Sequence, residues 1–197
     1  MRSLKLAVGL GAAIIAAGCA TQQYDETQAA PNPRVKFGKP ITNADIAPWD
    51  IDIRTPDGKG LPVGRGTVAQ GKTVYDAKCL ACHGADAKGG TVYGTMVGGI
   101  GSFKTNTRVL TPGSMYPYAP ILFDYIRRAM PMDRPQSLTA DEIYAVSAYI
   151  LNLNGIIAES AVMDQNTLAQ VQMPNRNGFI IDDRPDTKAA RCMTNCR

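Results

Sequence analysis

The five residues Cys79-Leu80-Ala81-Cys82-His83 constrain this chain more than any other feature, because His83 is the only histidine among 197 residues. A C-x-x-C pair admits three chemistries: a redox dithiol, half of a zinc site, or a haem anchor. A thioredoxin-like dithiol belongs beside a strand–helix–strand pattern, and no convincing one is visible here. A zinc site needs four ligands, commonly Cys or His. Cys192 and Cys196 could complete an all-sulfur set, but that arrangement leaves His83 unused.

The histidine directly after the second cysteine makes the motif C-x-x-C-H, the sequence form of c-type haem attachment. Two thiols add across the haem vinyl groups, and the next residue turns its imidazole onto the iron from one side. Cys79 and Cys82 are therefore the expected covalent anchors of one haem c, with His83 as an axial ligand. Lacking a second histidine, the chain cannot provide bis-histidine ligation, a Ser-His-Asp triad, a His-rich metal site or a histidine proton shuttle. The sixth position falls to methionine, lysine, a rarer ligand or water; methionine opposite histidine raises the potential. Among eight methionines Met130 is the first choice, since it ends a helical pattern, is followed by Pro131 and precedes a strongly capped helix. Met132 is its nearest rival, then Met96 and Met115.

The N-terminus places the chemistry in a compartment. Residues 1–19 carry Arg2 and Lys5, then an apolar run from Leu6 to Ala17, then small residues before Cys19. This reads as an export signal: the run is short for a bilayer span, and no other stretch approaches about 18 uninterrupted apolar residues. The expected location is the periplasm. "AAGC" resembles a degenerate bacterial lipobox, making Cys19 a candidate for lipidation and membrane anchoring; the alternative is an ordinary signal cleaved nearby. Five cysteines leave Cys19 over once the other four are paired off. Pairing of Cys192 with Cys196 is plausible in an oxidising compartment, the four-residue offset bringing the sulfurs together in a bend, against free thiols or bonds to another chain.

The rest divides by pattern. Residues 20–44 have a linker's composition, and residues 45–66 form an expected extended arm with Trp49, Ile51, Ile53 and Leu61 to lay along a surface. A helix is predicted from Val68 to Cys79, with Thr67 as its N-cap. Residues 84–117 are rich in Gly, Thr and Ser without periodicity and read as a long functional loop. "YAPILFDYIRRAM" is a second helix, ended by Pro131. A third begins with the Thr139/Glu142 capping box and its Leu138/Ile143 staple, carries Ile143, Val146, Ile150 and Leu153 on one face, and ends at Gly155. Residues 155–197 read as an irregular tail with one short helix near 166–171.

The stretch from 67 to 154 resembles the class I c-type cytochromes, an all-α fold in which a small helical domain encloses haem. Gly71 and Tyr75 match the family's N-terminal helix pair, and Val146 and Tyr149 its C-terminal partner. "WDIDIRTPDGKGLPVGRGT", "MPMDRPQSLTADEIYAVSAYILNLNGI" and "MPNRNGF" with a terminal Cys pair extend the similarity over 45–197, to the haem domain of SoxD-type sulfane dehydrogenase subunits and related sulfite dehydrogenase cytochromes. Relatives of that type are expected to carry Phe where this chain has Met132, which favours Met130 as ligand. The larger SoxD proteins are similar to two-haem chains, whereas this one has a single C-x-x-C-H.

The resemblance implies a single-electron carrier, fed by a molybdenum-cofactor dehydrogenase subunit and drained by a downstream cytochrome or oxidase. Tyr75, Leu110, Tyr125, Ile126 and Tyr149 are the expected pocket walls, and Arg108, Tyr116 and Trp49 the candidates for the haem propionates. One rival reading is a haem enzyme with a labile sixth position acting on peroxide or a sulfur compound. Another is an assembly subunit whose arm and tail clamp a larger enzyme. Nucleic acid is not an expected partner: removing Arg2 and Lys5 leaves 19 basic against 17 acidic residues, an excess of only two. Between 67 and 135, however, eight basic residues stand against four acidic ones, an excess that reads either as steering for an acidic partner or as an ordinary solvated surface.

Overall fold

The computed structural model describes residues 40–182; Cys19, Cys192 and Cys196 lie outside the described residues. The chain divides into two compact units, Met1–Asp45 and Ile46–Arg197. In the described part of the first, Thr42 and Asp45 exchange side-chain and backbone hydrogen bonds at the start of a single turn, α1 (Asn43–Ile46).

The second unit is organised by two helices, α2 (Val68–Lys78) and α6 (Ala140–Leu153). Both start as their sequences predict. Thr67 accepts the Gln70 N–H while the Gln70 side chain accepts the Thr67 N–H, and Thr139 and Glu142 do the same, satisfying amides that a helix start otherwise leaves without partners. Leu138 and Ile143 both join the core beneath that start. At the other end Gly155 (φ +67°) permits a Schellman closure: Ile156 N–H reaches Leu151 O at 3.0 Å and Gly155 N–H reaches Asn152 O at 2.8 Å.

The two helices cross where α2 lacks a side chain. A Cβ at Gly71 would overlap the carbonyl oxygen of Ala145, and one at Gly66 would overlap the Ala145 backbone nitrogen. Beside this contact the Tyr75 and Tyr149 rings pack at 5.4 Å, tilted by 56°. Along α6 the core is continuous from Ile143 to Leu151. α5 (Pro120–Ala129) lays Leu122, Phe123 and Ile126 against it, with Phe123 and Tyr144 at 4.5 Å between centroids.

The segments on either side of the helices close over this core. Two short strands, β1 (Arg65–Thr67) and β2 (Val162–Asp164), pair antiparallel with Gly66 opposite Met163. In the arm, Ile53 and Leu61 pack against the core, and the Arg128 guanidinium holds it by donating to Ile51 O at 3.2 Å and Asp52 Oδ1 at 2.8 Å. The C-terminal segment is irregular in backbone but not peripheral: Met163, Leu168, Val171 and Met173 are buried. Between 84 and 117 the expected loop contains a 3-10 turn at Ala85–Ala87 and a short helix, α4 (Pro112–Met115), started by a buried Thr111/Ser114 capping box. No helix among the described residues is long and apolar enough to cross a membrane.

Candidate functional site

The C-terminal end of α2 runs into a further single turn, α3 (Leu80–His83). His83 N–H donates to Cys79 O at 3.0 Å and Gly84 N–H to Leu80 O at 2.9 Å. Helical geometry puts residues i, i+3 and i+4 on one face, so this turn presents Cys79, Cys82 and His83 to the same side. Gly84 (φ +74°) then takes the chain away, in a conformation L side chains rarely adopt. Its carbonyl accepts from the Tyr75 hydroxyl at 2.8 Å, which ties the motif's exit to the centre of the α2–α6 crossing.

That face looks into a cleft enclosing about 760 Å³ of non-protein space, part of it open to solvent. Its walls are Tyr75, Ile126, Leu138, Val146 and Ile150 from the core, Tyr93 and Met96 from the loop, and Met130 and Pro131 after α5. Exposed Lys78, Met132 and Asp133 complete the lining. Three thioethers thus share a cavity with His83, while Met115 does not line it. Met130 is partly buried against the core, its N–H bound to Ile126 O at 3.0 Å. Met132 is 65% exposed, and its sulfur accepts from the Tyr93 hydroxyl at 3.1 Å.

The chemistry of this lining fits a haem. The Nδ1 atom of His83 is buried with no hydrogen-bond partner, and the ring stacks on Tyr93 at 5.2 Å. Burial pushes the His83 pKa down, favouring the neutral imidazole that metals bind. Cys79 and Cys82 are unpaired thiols. Burial drives the Cys79 thiol up to about 11, against an opposing pull from Lys78. Reactive dithiols need a lowered pKa, so this environment opposes redox-dithiol chemistry. An apolar cleft ending in two thiols, an imidazole and methionine sulfur supplies the anchors and the soft and imidazole donors that haem iron takes.

Several expected wall residues stand elsewhere. Tyr75 and Ile126 line the cleft, but Leu110 and Tyr125 are more than half exposed and Tyr149 is buried behind Tyr75. On α5 the inward face belongs to Leu122, Phe123 and Ile126, which leaves Tyr125 outside. Trp49 is 83% exposed, Arg108 is exposed and Tyr116 half-buried. Tyr93 had no periodic signal to reveal it, lying in a glycine-rich stretch. The wall it belongs to is fixed by backbone bonds, Met96 N–H to Ala87 O at 2.8 Å, and by Asn154. The Asn154 amide donates to Met96 O at 3.1 Å and Ile150 O at 2.9 Å and accepts from Gly98 N–H at 3.1 Å.

The Cytochrome c family model matches residues 68–154, the span that carries α2, the C-x-x-C-H turn, the cleft and α6, and the chain belongs to the class I c-type cytochromes. Among solved structures it is similar to a chain of the sulfane dehydrogenase SoxCD from Paracoccus pantotrophus, at 35% sequence identity and a TM-score of 0.70. That likeness covers 83% of this chain and 82% of the matched one. Among curated proteins no match is found.

Proposed function

We propose that this protein is a periplasmic mono-haem c-type cytochrome that carries single electrons as the cytochrome subunit, or the electron acceptor, of a molybdenum-containing sulfane or sulfite dehydrogenase. The observation that carries the reading is the convergence of Cys79, Cys82, His83 and Met130 on one apolar cleft. Haem c supplies an iron that gains and loses one electron without bond chemistry on a substrate.

The chain's residues do the rest. The Cys79 and Cys82 thiols would hold the group covalently, through thioether bonds to its two vinyl groups. His83 offers a neutral imidazole from a turn with little freedom, and Met130 a thioether at the C-cap of α5. Met130 is preferred to Met132 because it is the more enclosed and its sulfur is not engaged by Tyr93. Tyr75, Ile126, Val146 and Ile150 keep the interior apolar, which, with the ligand set, tunes the potential.

The dehydrogenase partner rests on the likeness to the SoxCD chain, which at 83% coverage extends past the cytochrome core into the flanking segments. The proposal also takes residues 1–19 as an export signal and Cys19 as a lipid anchor, which would hold the protein at the periplasmic face of a membrane. The test is reduction of the haem-loaded protein by a molybdenum sulfane or sulfite dehydrogenase with its sulfur substrate. Rapid, saturable reduction supports the pairing; a protein that only strong chemical reductants reduce would sink it.

A further inference from the structure

The thioethers that share the cleft with His83 differ in their access to water. Met96 and Met130 are partly buried against the core, whereas Met132 lines the cleft and is 65% exposed. A side chain that does both stands at the cleft's rim. Of the other methionines among the described residues, Met115 is half-buried outside the cleft, and Met163 and Met173 are buried. Met132 is thus the one among them that an oxidant dissolved in water meets first.

The backbone keeps it there. Arg134 N–H donates to Pro131 O at 2.9 Å, closing a turn whose central residues, Met132 and Asp133, are both exposed. The sulfur is also held from inside the cleft: the Tyr93 hydroxyl donates to it at 3.1 Å, and the Tyr93 ring stacks on His83 at 5.2 Å. A thioether sulfur has a second lone pair, so this bond leaves one for reaction. Oxidation converts the thioether into a polar sulfoxide. At Met132 the new oxygen would face water and a hydroxyl already placed to donate to it. At Met96 or Met130 it would be set against the core, where a sulfoxide disrupts packing.

We propose that Met132 is a modification site at the mouth of the cleft: its sulfur takes the oxygen of a two-electron oxidant, a hypohalous acid or a peroxide, and thereby spares Met96 and Met130. The sulfur supplies an electron pair and gains an S–O bond. The oxidant is reduced, hypochlorous acid to chloride and a proton, hydrogen peroxide to water. The site itself follows from exposure and contact alone; its role in keeping Met130 a thioether ligand rests on the proposed function above.

The test uses the full-length, haem-loaded protein, with haem content measured first by absorbance and free thiols blocked by a maleimide. Wild type and M132L receive roughly one equivalent of hypochlorous acid, and sulfoxide at each methionine is quantified by peptide mass spectrometry. Leucine keeps the apolar bulk at the rim, so M132L removes the sulfur without opening the cleft. In wild type Met132 should carry about ten times the sulfoxide of Met96 or Met130, and the methionine–iron charge-transfer band should survive. In M132L the sulfoxide at Met96 and Met130 together should rise about threefold. Met96 or Met130 modified as fully as Met132, or an unchanged yield at those two in M132L, would overturn the inference. Wild type that lacks the band before any oxidant is added would count against the sixth-ligand reading alone, since the oxidation map is read by mass.

Discussion

The α2–α6 crossing and the methionine side of the cleft are built by different means. The crossing is helix on helix, closed at Gly71, where a Cβ would strike the Ala145 backbone, with Gly66 of β1 similarly close to Ala145 and Tyr75 and Tyr149 packed alongside. The opposite wall is loop: Tyr93, Met96, Met130 and Met132 come from segments without long regular structure, held by single hydrogen bonds and one buried asparagine. The difference separates two tasks. The crossing sets the position of the C-x-x-C-H turn, while the loops supply donors whose placement is independent of helical period.

Disturbing the crossing should have the largest effect. Gly71→Ala puts a methyl into the Ala145 carbonyl, so α2 and α6 must part; overpacking of this kind costs about 1–3 kcal/mol, and collision with backbone puts it at the upper end. Denaturant unfolding of the haem-loaded protein measures this, and a loss below about 0.5 kcal/mol would break the contrast between the two walls.

On the loop wall the strongest single fixing is Asn154. Asn154→Ala leaves the Met96 carbonyl and Gly98 amide without their partner, and stranding such groups costs about 1–3 kcal/mol. Because Asn154 also caps α6, its loss should lower stability and broaden the haem absorption bands; a stable variant with unchanged spectrum would mean that the loop holds itself.

A smaller effect is expected where the crossing meets solvent. The Lys78 ammonium, at 2.6 Å, holds the Glu142 carboxyl below the usual range, helped by the Thr139 amide. A depressed folded-state pKa gives stability that is fully present above the unfolded value and lost as pH falls through the folded one. Glu142→Gln should therefore cost a few tenths to about 1 kcal/mol near neutral pH, the pair being partly solvent-exposed, and the gap to wild type should close below pH 4.5, the ordinary glutamate value. A gap that stays constant with pH would assign the effect to the capping box alone. The smallest effect belongs to Met132→Ala: with that side chain 65% exposed, stability and the visible spectrum should both stay near wild type.

How much of this could be read in advance follows the same division. The Thr67 N-cap of α2, the capping box of α6, the Leu138/Ile143 staple, the Gly155 stop and the inward stripe of α6 are local patterns, and each corresponds to an observed contact. The capping box of α4 escaped notice because Ser114 stands where Glu or Gln is the usual signal. β1 and β2 escaped for another reason: three-residue strands are too short to show a period, and their partners lie far apart in sequence. Leu110 and Tyr125 were expected as pocket walls, Tyr125 also from the helical spacing of its segment, but both are more than half exposed. Tyr93 sits in the cleft through the path of a glycine-rich loop, and apolar periodicity carries no information about such a path.

The central proposal is that His83 and Met130 are the residues that would ligate the haem iron. Near-infrared absorption of the oxidised protein tests it most directly, through the methionine–iron charge-transfer band. The account predicts that the band is present in wild type, persists in M132A and M96A, and disappears in M130A. A band that survives in M130A would contradict the assignment of the sixth ligand.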